Sequence, residues 1–382
     1  MKVSFTGDFA PILNVEDRLR RGHIEDIFGN LIELFKDYDE VVVNLECPLT
    51  VHDVRSKKTG PNIRANPGIG GALRKAGITI ASLANNHIMD YGPTGLKDTI
   101  ECLSSNGVAC FGAGENLMVA NSPFVIRNND ESIALVSYAE HEYSIAGIDY
   151  PGANPINPLR NAVELKRLLS EHNYVIVLVH GGHEYQALPS PYYVDLMRFY
   201  ASLGVHAVIG HHTHCVSLME NYQGVPICYG LGNFIFPWNE IKSKAWYEGV
   251  VLSLDIMNGN IAVRVIPVRQ DTKGQVSLSN AEIMDFGESK YLVEEGYFDS
   301  EEYILQAEKF LRGKGKAAFL SMAVPSRLIR GLIKHGFVSE QYIIKNRFLG
   351  YFHSFHCEGS LEAIRAYLNS HLHNAFVGRN KV

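Results

Sequence analysis

Directly after the apolar run Val205 to Ile209 the chain reads Gly210-His211-His212-Thr213-His214. His212 and His214 stand two positions apart, so both point to one side of an extended chain while His211 faces away. Neutral imidazoles are ready ligands for zinc, manganese or iron. Hydrogen-bonded histidines closing a strand would read the same way, so the pentad acquires meaning only from its surroundings.

Four further apolar runs end in groups able to bind a metal or move a proton. Phe5-Thr6-Gly7-Asp8 ends in a carboxylate, behind a glycine that permits tight approach. Val41 to Leu45 leads to Glu46, a carboxylate able to bridge two cations. Ala81 to Ala84 leads to Asn85-Asn86-His87, an amide that can ligate and an imidazole that can protonate a leaving group. Val177-Leu178-Val179 leads to His180, then Gly181-Gly182-His183-Glu184, where the glycines let backbone approach a ligand and His183 and Glu184 can support it. Taken singly, an acid can cap a helix, Asn-Asn can form a turn and a histidine can be a satisfied core residue. In open α/β sheets, however, ligands gather outside the carboxyl ends of strands. Five such ends, each delivering a metal-competent side chain, predict one hydrolytic metal site running from Asp8 to His214.

The elements that must hold these groups are short β-branched runs at Val3 to Thr6, Glu40 to Leu45, Ile78 to Leu83, Tyr174 to Val179 and His206 to Ile209. Each is too short for a helix and reads as a buried strand. Between them lie helical spacings: Ile24, Ile27, Leu31, Leu34 and Phe35; Leu96, Ile100 and Leu103; Val163, Leu165, Leu168 and Leu169. A second group of strands, Ser132 to Ser137, Val225 to Leu231, Gly249 to Ile256 and Ile261 to Val268, includes an Asn258-Gly259 hairpin signal and suggests antiparallel or mixed pairing. Two packed sheets flanked by helices accommodate both groups, which predicts a four-layer αββα sandwich. After about residue 285 the pattern turns helical, with Ser300 as N-cap for Glu301 to Leu311. Gly313 to Lys316 reads as a linker, and a further apolar spacing follows at Leu361, Ile364, Ala366 and Leu368. The expected division is one domain over 1–285 and a helical accessory segment over 286–382.

Hydrophobic residues make up 46% of the 382 and charged ones 20%, enough for a sizeable core. The 35 basic and 41 acidic residues, net charge -6, are too balanced for a nucleic-acid surface. Six scattered cysteines show no short-spaced metal or redox pair. The strand reaching Asp8 leaves no room for a signal peptide, and no run approaches the roughly 20 apolar residues that span a bilayer. The expectation is a cytoplasmic chain without an integral membrane segment.

In order along the chain, Thr6-Gly7-Asp8, Asn44 to Thr50, Ile63 to Pro67, Asn85 to Gly92, His180 to Tyr185, Gly210 to Val216 and Tyr229 to Phe234 resemble a known set of motifs. They resemble those of the CapA-type capsule or poly-gamma-glutamate synthesis family, within the calcineurin-like metallophosphoesterase superfamily. The resemblance implies a metallophosphoesterase-type sandwich with one or two divalent ions, zinc, manganese or iron. Asp8 and His214 would hold one, Asn86, His180 and His212 the other, with Glu46 between. It further implies His87 and Glu184 as catalytic groups, His87 being the general acid, and Arg64 and Asn233 as contacts to an anionic small-molecule or polymer substrate. Capsule-synthesis machinery is the implied partner. The implied reaction is hydrolysis of a phosphoester or gamma-glutamyl amide in capsule or exopolymer biosynthesis. The alternatives are a non-catalytic assembly or export component of a polymer synthase, or a small-molecule phosphatase. Two positions depart from the pattern: Ala10 stands where the broader superfamily carries a His, and Gly181 where an aromatic residue usually follows His180.

Overall fold

Along the strand Glu40–Leu45 side chains alternate between two apolar environments, Val41, Val43 and Leu45 in one and Val42 in the other. That period of two is what a strand buried on both faces requires. The computed structural model describes residues 1–323 except 129–130, 258–259 and 280–282. Its larger sheet runs in the order Val276–Leu278, Asn260–Gln270, Glu248–Met257, Lys2–Phe9, Glu40–Leu45, Ile80–Ser82, Ala109–Phe111. Asn233–Ile235 also pairs with Lys2–Phe9, and Met284–Asp285 with Asn260–Gln270. The second sheet runs Met219–Tyr222, Val225–Cys228, Ala207–His211, Tyr174–His180, Glu131–Ala139, Phe124–Asn128.

Val3, Phe5, Val42 and Ile80 of the first sheet share a buried cluster with Leu135, Ile176, Leu178 and Ile209 of the second. The opposite face of the first sheet packs against Val15, Leu19, Ile27, Phe28, Leu31, Leu73, Leu96 and Leu103, all from helices. Helices Pro158–Glu171 and Pro191–Ser202 cover the second sheet, tied to it by Tyr138 Oη donating to Glu164 and Tyr193 Oη donating to the Val179 carbonyl. The expected αββα sandwich is therefore the architecture found.

Details differ from expectation. The two groups of strands do not correspond to the two sheets. Glu131–Ala139 lies parallel to Tyr174–His180 and antiparallel to Phe124–Asn128, the mixed pairing expected, and Glu248–Met257 lies antiparallel to Lys2–Phe9. Apolar runs identify strands but not partners, because pairing is decided by contacts distant in sequence. The Ile24 to Phe35 spacing is split into Glu25–Phe28 and Leu31–Phe35 at Gly29, whose φ is 52°. Val163 is 72% exposed, since the buried stripe is Asn161, Glu164, Leu165 and Leu168, a regular helical spacing that includes two polar residues.

Residues Met1–Ser300 form one compact unit, and a second begins at Glu301. The helix Glu301–Ala323 runs through Gly313 to Lys316, so this stretch is helical and not a linker. The spacing at Leu361, Ile364, Ala366 and Leu368 and the Asn258-Gly259 turn lie outside the described residues. Among the described residues no helix is long and apolar enough to cross a membrane.

Candidate metal centre

Strand register brings the chemistry together. Asp8 pairs with Asn44 on one side and Asn233 on the other. A Cβ at Gly7 would collide with the Gly232 carbonyl, so the glycine serves close approach of a neighbouring strand. In the second sheet His180 is in register with both His211 and Ala139. Asp8, Glu46 and Asn86 thus come from the first sheet, and His180, His212 and His214 from the second.

The two pentad histidines do not converge through an extended chain. His212 has φ 86° and His214 φ 53°, a left-handed turn that is costly for residues bearing a Cβ and is characteristic of functional sites. The turn is held by the His212 N–H, which donates to both oxygens of Asp8 at 3.3 and 3.1 Å. His211 faces away, its Nε2 lying 3.1 Å from the Thr6 carbonyl.

Around Glu46 two groups of metal-competent atoms form, Asp8–Glu46–His214 and Glu46–His180–His212. Glu46 Oε1 is 3.7 Å from both His180 Nε2 and His214 Nε2. His180 Nε2 is 3.1 Å from Asn86 Oδ1 and 3.1 Å from His212 Nδ1. Ligands about 2.1 Å from one cation stand roughly 3 to 3.5 Å apart, close to these spacings. Glu46 is completely buried, and neither carboxylate oxygen has a hydrogen-bond partner. A lone buried carboxylate is among the most expensive groups to leave uncompensated. Divalent cations shared with the surrounding donors are the compensation this geometry fits.

The electrostatics follow from burial and mixed charge. Burial pushes the Glu46 carboxyl well above its ordinary range, and the charges of Asp8 and Glu184 push it further. For Asp8 burial acts in the same direction, but the hydrogen bond and charge of His214, with His211 and His180 nearby, hold it below the usual range. Burial and the charge of His212 keep His180 well below its ordinary value, as a neutral ligand requires. His212 is pulled down by burial yet pushed up to about 9 by Glu140, Glu184 and Glu142.

Several orienting residues have no place in the expected set. Asn44 Nδ2 donates to Asp8 Oδ1 at 2.8 Å and lies 3.1 Å from His180 Nδ1, linking the sheets. Its signal was present, since it stands two residues before Glu46 on the same strand end. Glu140 Oε1 lies 3.0 Å from His212 Nε2, and Asn86 Nδ2 donates to Glu142 Oε2 at 3.5 Å. His87 Nδ1 lies 2.7 Å from Asp90 Oδ2, and buried Lys58 is ion-paired to Asp90 Oδ1. Lys58 sits in an irregular loop, where no periodicity announces a buried side chain.

Three expected residues are placed differently from the ligands. Asn233 Oδ1 is 3.0 Å from His214 Nδ1 and its Nδ2 donates to the Trp246 carbonyl, so in this structure it holds a histidine. Arg64 donates to the His52 carbonyl and lies 4.6 Å over the Tyr91 ring. Glu184 is half-buried, and its charge bears on Glu46, Tyr185 and His212. Ala10 is fully buried within the apolar cluster beside Phe9.

Residues 2–238 match the family model described as bacterial capsule synthesis protein PGA_cap. The chain is 28% identical over 281 residues to the capsule biosynthesis protein CapA of Bacillus anthracis, covering 70% of this chain and 67% of that one. It is also 28% identical over 251 residues to the PGA biosynthesis protein CapA of Bacillus subtilis (strain 168), covering 64% and 66%. The matches thus span about two thirds of the length of these relatives. Among solved structures, a hypothetical protein from Thermus thermophilus aligns with TM-score 0.43 and 17% identity over 75% of this chain and 99% of that one. With the family model covering well over half of its residues, this chain belongs to the bacterial capsule synthesis protein PGA_cap family.

Proposed function

We propose that this protein is a metal-dependent hydrolase of capsule or exopolymer biosynthesis, cleaving a phosphoester or a gamma-glutamyl amide. The observation that carries the reading is the buried, unpartnered Glu46 carboxylate ringed by Asp8, Asn86, His180, His212 and His214. Divalent ions bound there would supply activation of water and neutralisation of charge on a phosphoryl or acyl oxygen. The chain's own groups do the rest. Asn44 and the His212 N–H keep the Asp8 carboxylate oriented. With Asp90 accepting from Nδ1, the protonated His87 imidazolium carries a second proton on Nε2, which it hands to the leaving oxygen or nitrogen. Such general-acid catalysis contributes roughly 10²–10⁴-fold. Glu184 is the candidate for receiving a proton at the half-buried mouth. Trp246 and Phe236, with ring centroids 4.9 and 5.0 Å from His214, keep water from that side. The relatives named for capsule and PGA biosynthesis support the biological role, with synthesis machinery as the partner it implies.

Elemental analysis of the purified chain, combined with turnover of phosphoesters and gamma-glutamyl peptides, tests the reading. Bound divalent metal and hydrolysis of one class, both reduced by His212→Ala, are expected. An inert protein whose metal content ignores His212→Ala contradicts it. Ala10 favours a second reading, a non-catalytic assembly or export component of a polymer synthase, because the position offers no ligand. That reading expects metal without turnover.

A further inference from the structure

We propose that Glu140 and Glu142 position the His180–His212–Asn86 side of the centre, Glu140 fixing which nitrogen of His212 faces the metal. The inference rests on the metal-centre reading above. Glu140 Oε1 is 3.0 Å from His212 Nε2, so the Nε2–H donates to it and Nδ1, 3.1 Å from His180 Nε2, is left with the lone pair. Metal-bound histidines depend on such a partner at the other nitrogen to set tautomer and ring angle. Glu142 acts likewise on the amide: Asn86 Nδ2 donates to its Oε2 at 3.5 Å, turning Asn86 Oδ1 toward His180 Nε2 at 3.1 Å.

The seat of Glu140 is built into the backbone. Its own N–H donates to the His180 carbonyl at 3.0 Å, and the Gly182 N–H donates to its Oε2 at 3.1 Å. Gly182 has φ 100°, a conformation that favours glycine. At Gly181 a Cβ would lie 3.2 Å from Glu140 Oε2 and 3.5 Å from Glu140 Cβ, so any side chain there presses on the carboxylate. The glycine at position 181 thereby leaves room for the carboxylate that orients His212.

Zinc alone is the probe, titrated into the full-length chain against a chromogenic chelator. Glu140→Ala is expected to weaken one zinc equivalent about 10–100-fold and leave the other unchanged. Glu140→Gln, which keeps an acceptor, should recover part of that affinity, and Gly181→Ala should reproduce part of the loss with the carboxylate intact. In the zinc-loaded chain ring ¹⁵N shifts of His212 should report the proton on Nε2 in the wild type and an altered ring environment in Glu140→Ala, a change that a merely structural role would not produce. Unchanged zinc affinity in Glu140→Ala, equal weakening of both equivalents, or loss of a third equivalent that made Glu140 a ligand would each overturn the proposal. A wild type that binds no zinc would overturn the metal-centre reading together with it.

Discussion

The two groups of candidate ligands in the proposed centre share Glu46 but are built to different standards. On the Asp8–His214 side the imidazole is held at Nδ1 by a neutral amide, Asn233, and Ala10, two residues after Asp8, offers only a buried methyl. On the His180–His212 side two imidazoles and the Asn86 amide converge, and His212 is held by a carboxylate. A carboxylate partner raises the basicity of a ligating imidazole more than an amide does. The difference teaches that two cations at one bridge need not be equal: the His180–His212 position should fill first and empty last.

The largest expected effect comes from the shared residue. Glu46→Gln should abolish stabilisation by zinc, which at a thousandfold excess over the dissociation constant is worth about 4 kcal/mol in the wild type. Thermal unfolding with and without zinc reads it directly, and equal shifts in both proteins would break the idea of a common bridge. Next, Asp8→Ala or His214→Ala should remove the weaker equivalent and spare the stronger one in a zinc titration. If the tighter equivalent disappears instead, the ranking of the halves is reversed. Asn233→Ala should weaken that same equivalent by about tenfold, the lower end for an outer partner.

His87→Ala sharpens the comparison by touching neither half: metal content should stay constant while turnover falls roughly 10²–10⁴-fold. Metal loss equal to that of Asp8→Ala would show His87 to be a ligand. The smallest effect lies outside the centre altogether. Burial raises Glu164 from 4.5 to about 7, against the Tyr138 hydrogen bond. The folded chain therefore retains a proton there that the unfolded chain has released, so stability falls as pH rises from about 4.5 to about 7. In Glu164→Gln that slope should flatten while both zinc affinities persist, and an unchanged slope would remove Glu164 as its source.

The parts of this arrangement legible in the sequence are those that obey local rules. Asp8, Glu46, Asn86, His180 and the 212/214 pair each follow an apolar strand, and strand ends are where α/β sheets collect their chemistry. The layers were legible too, because unbroken apolar runs report which strands are buried on both faces. Glu140 also follows an apolar strand, Glu131–Ala139, but no local signal pairs that strand with the one that ends at His180. Lys58 escaped because a loop has no period, and the roles of Asn44 and Asn233 depend on pairings across distant segments. The left-handed turn at His212 and His214 was hidden for a related reason, since two-residue spacing suggests an extended chain and only the Asp8 contact reveals the turn.

The central claim is that Glu46 is a bridge between two unequal cation positions. Competitive zinc titration of the metal-free wild-type chain, followed to saturation, tests it most directly. Two equivalents of distinct affinity, both lost in Glu46→Gln, are the predicted result. No bound zinc, or binding that Glu46→Gln leaves untouched, would contradict the account.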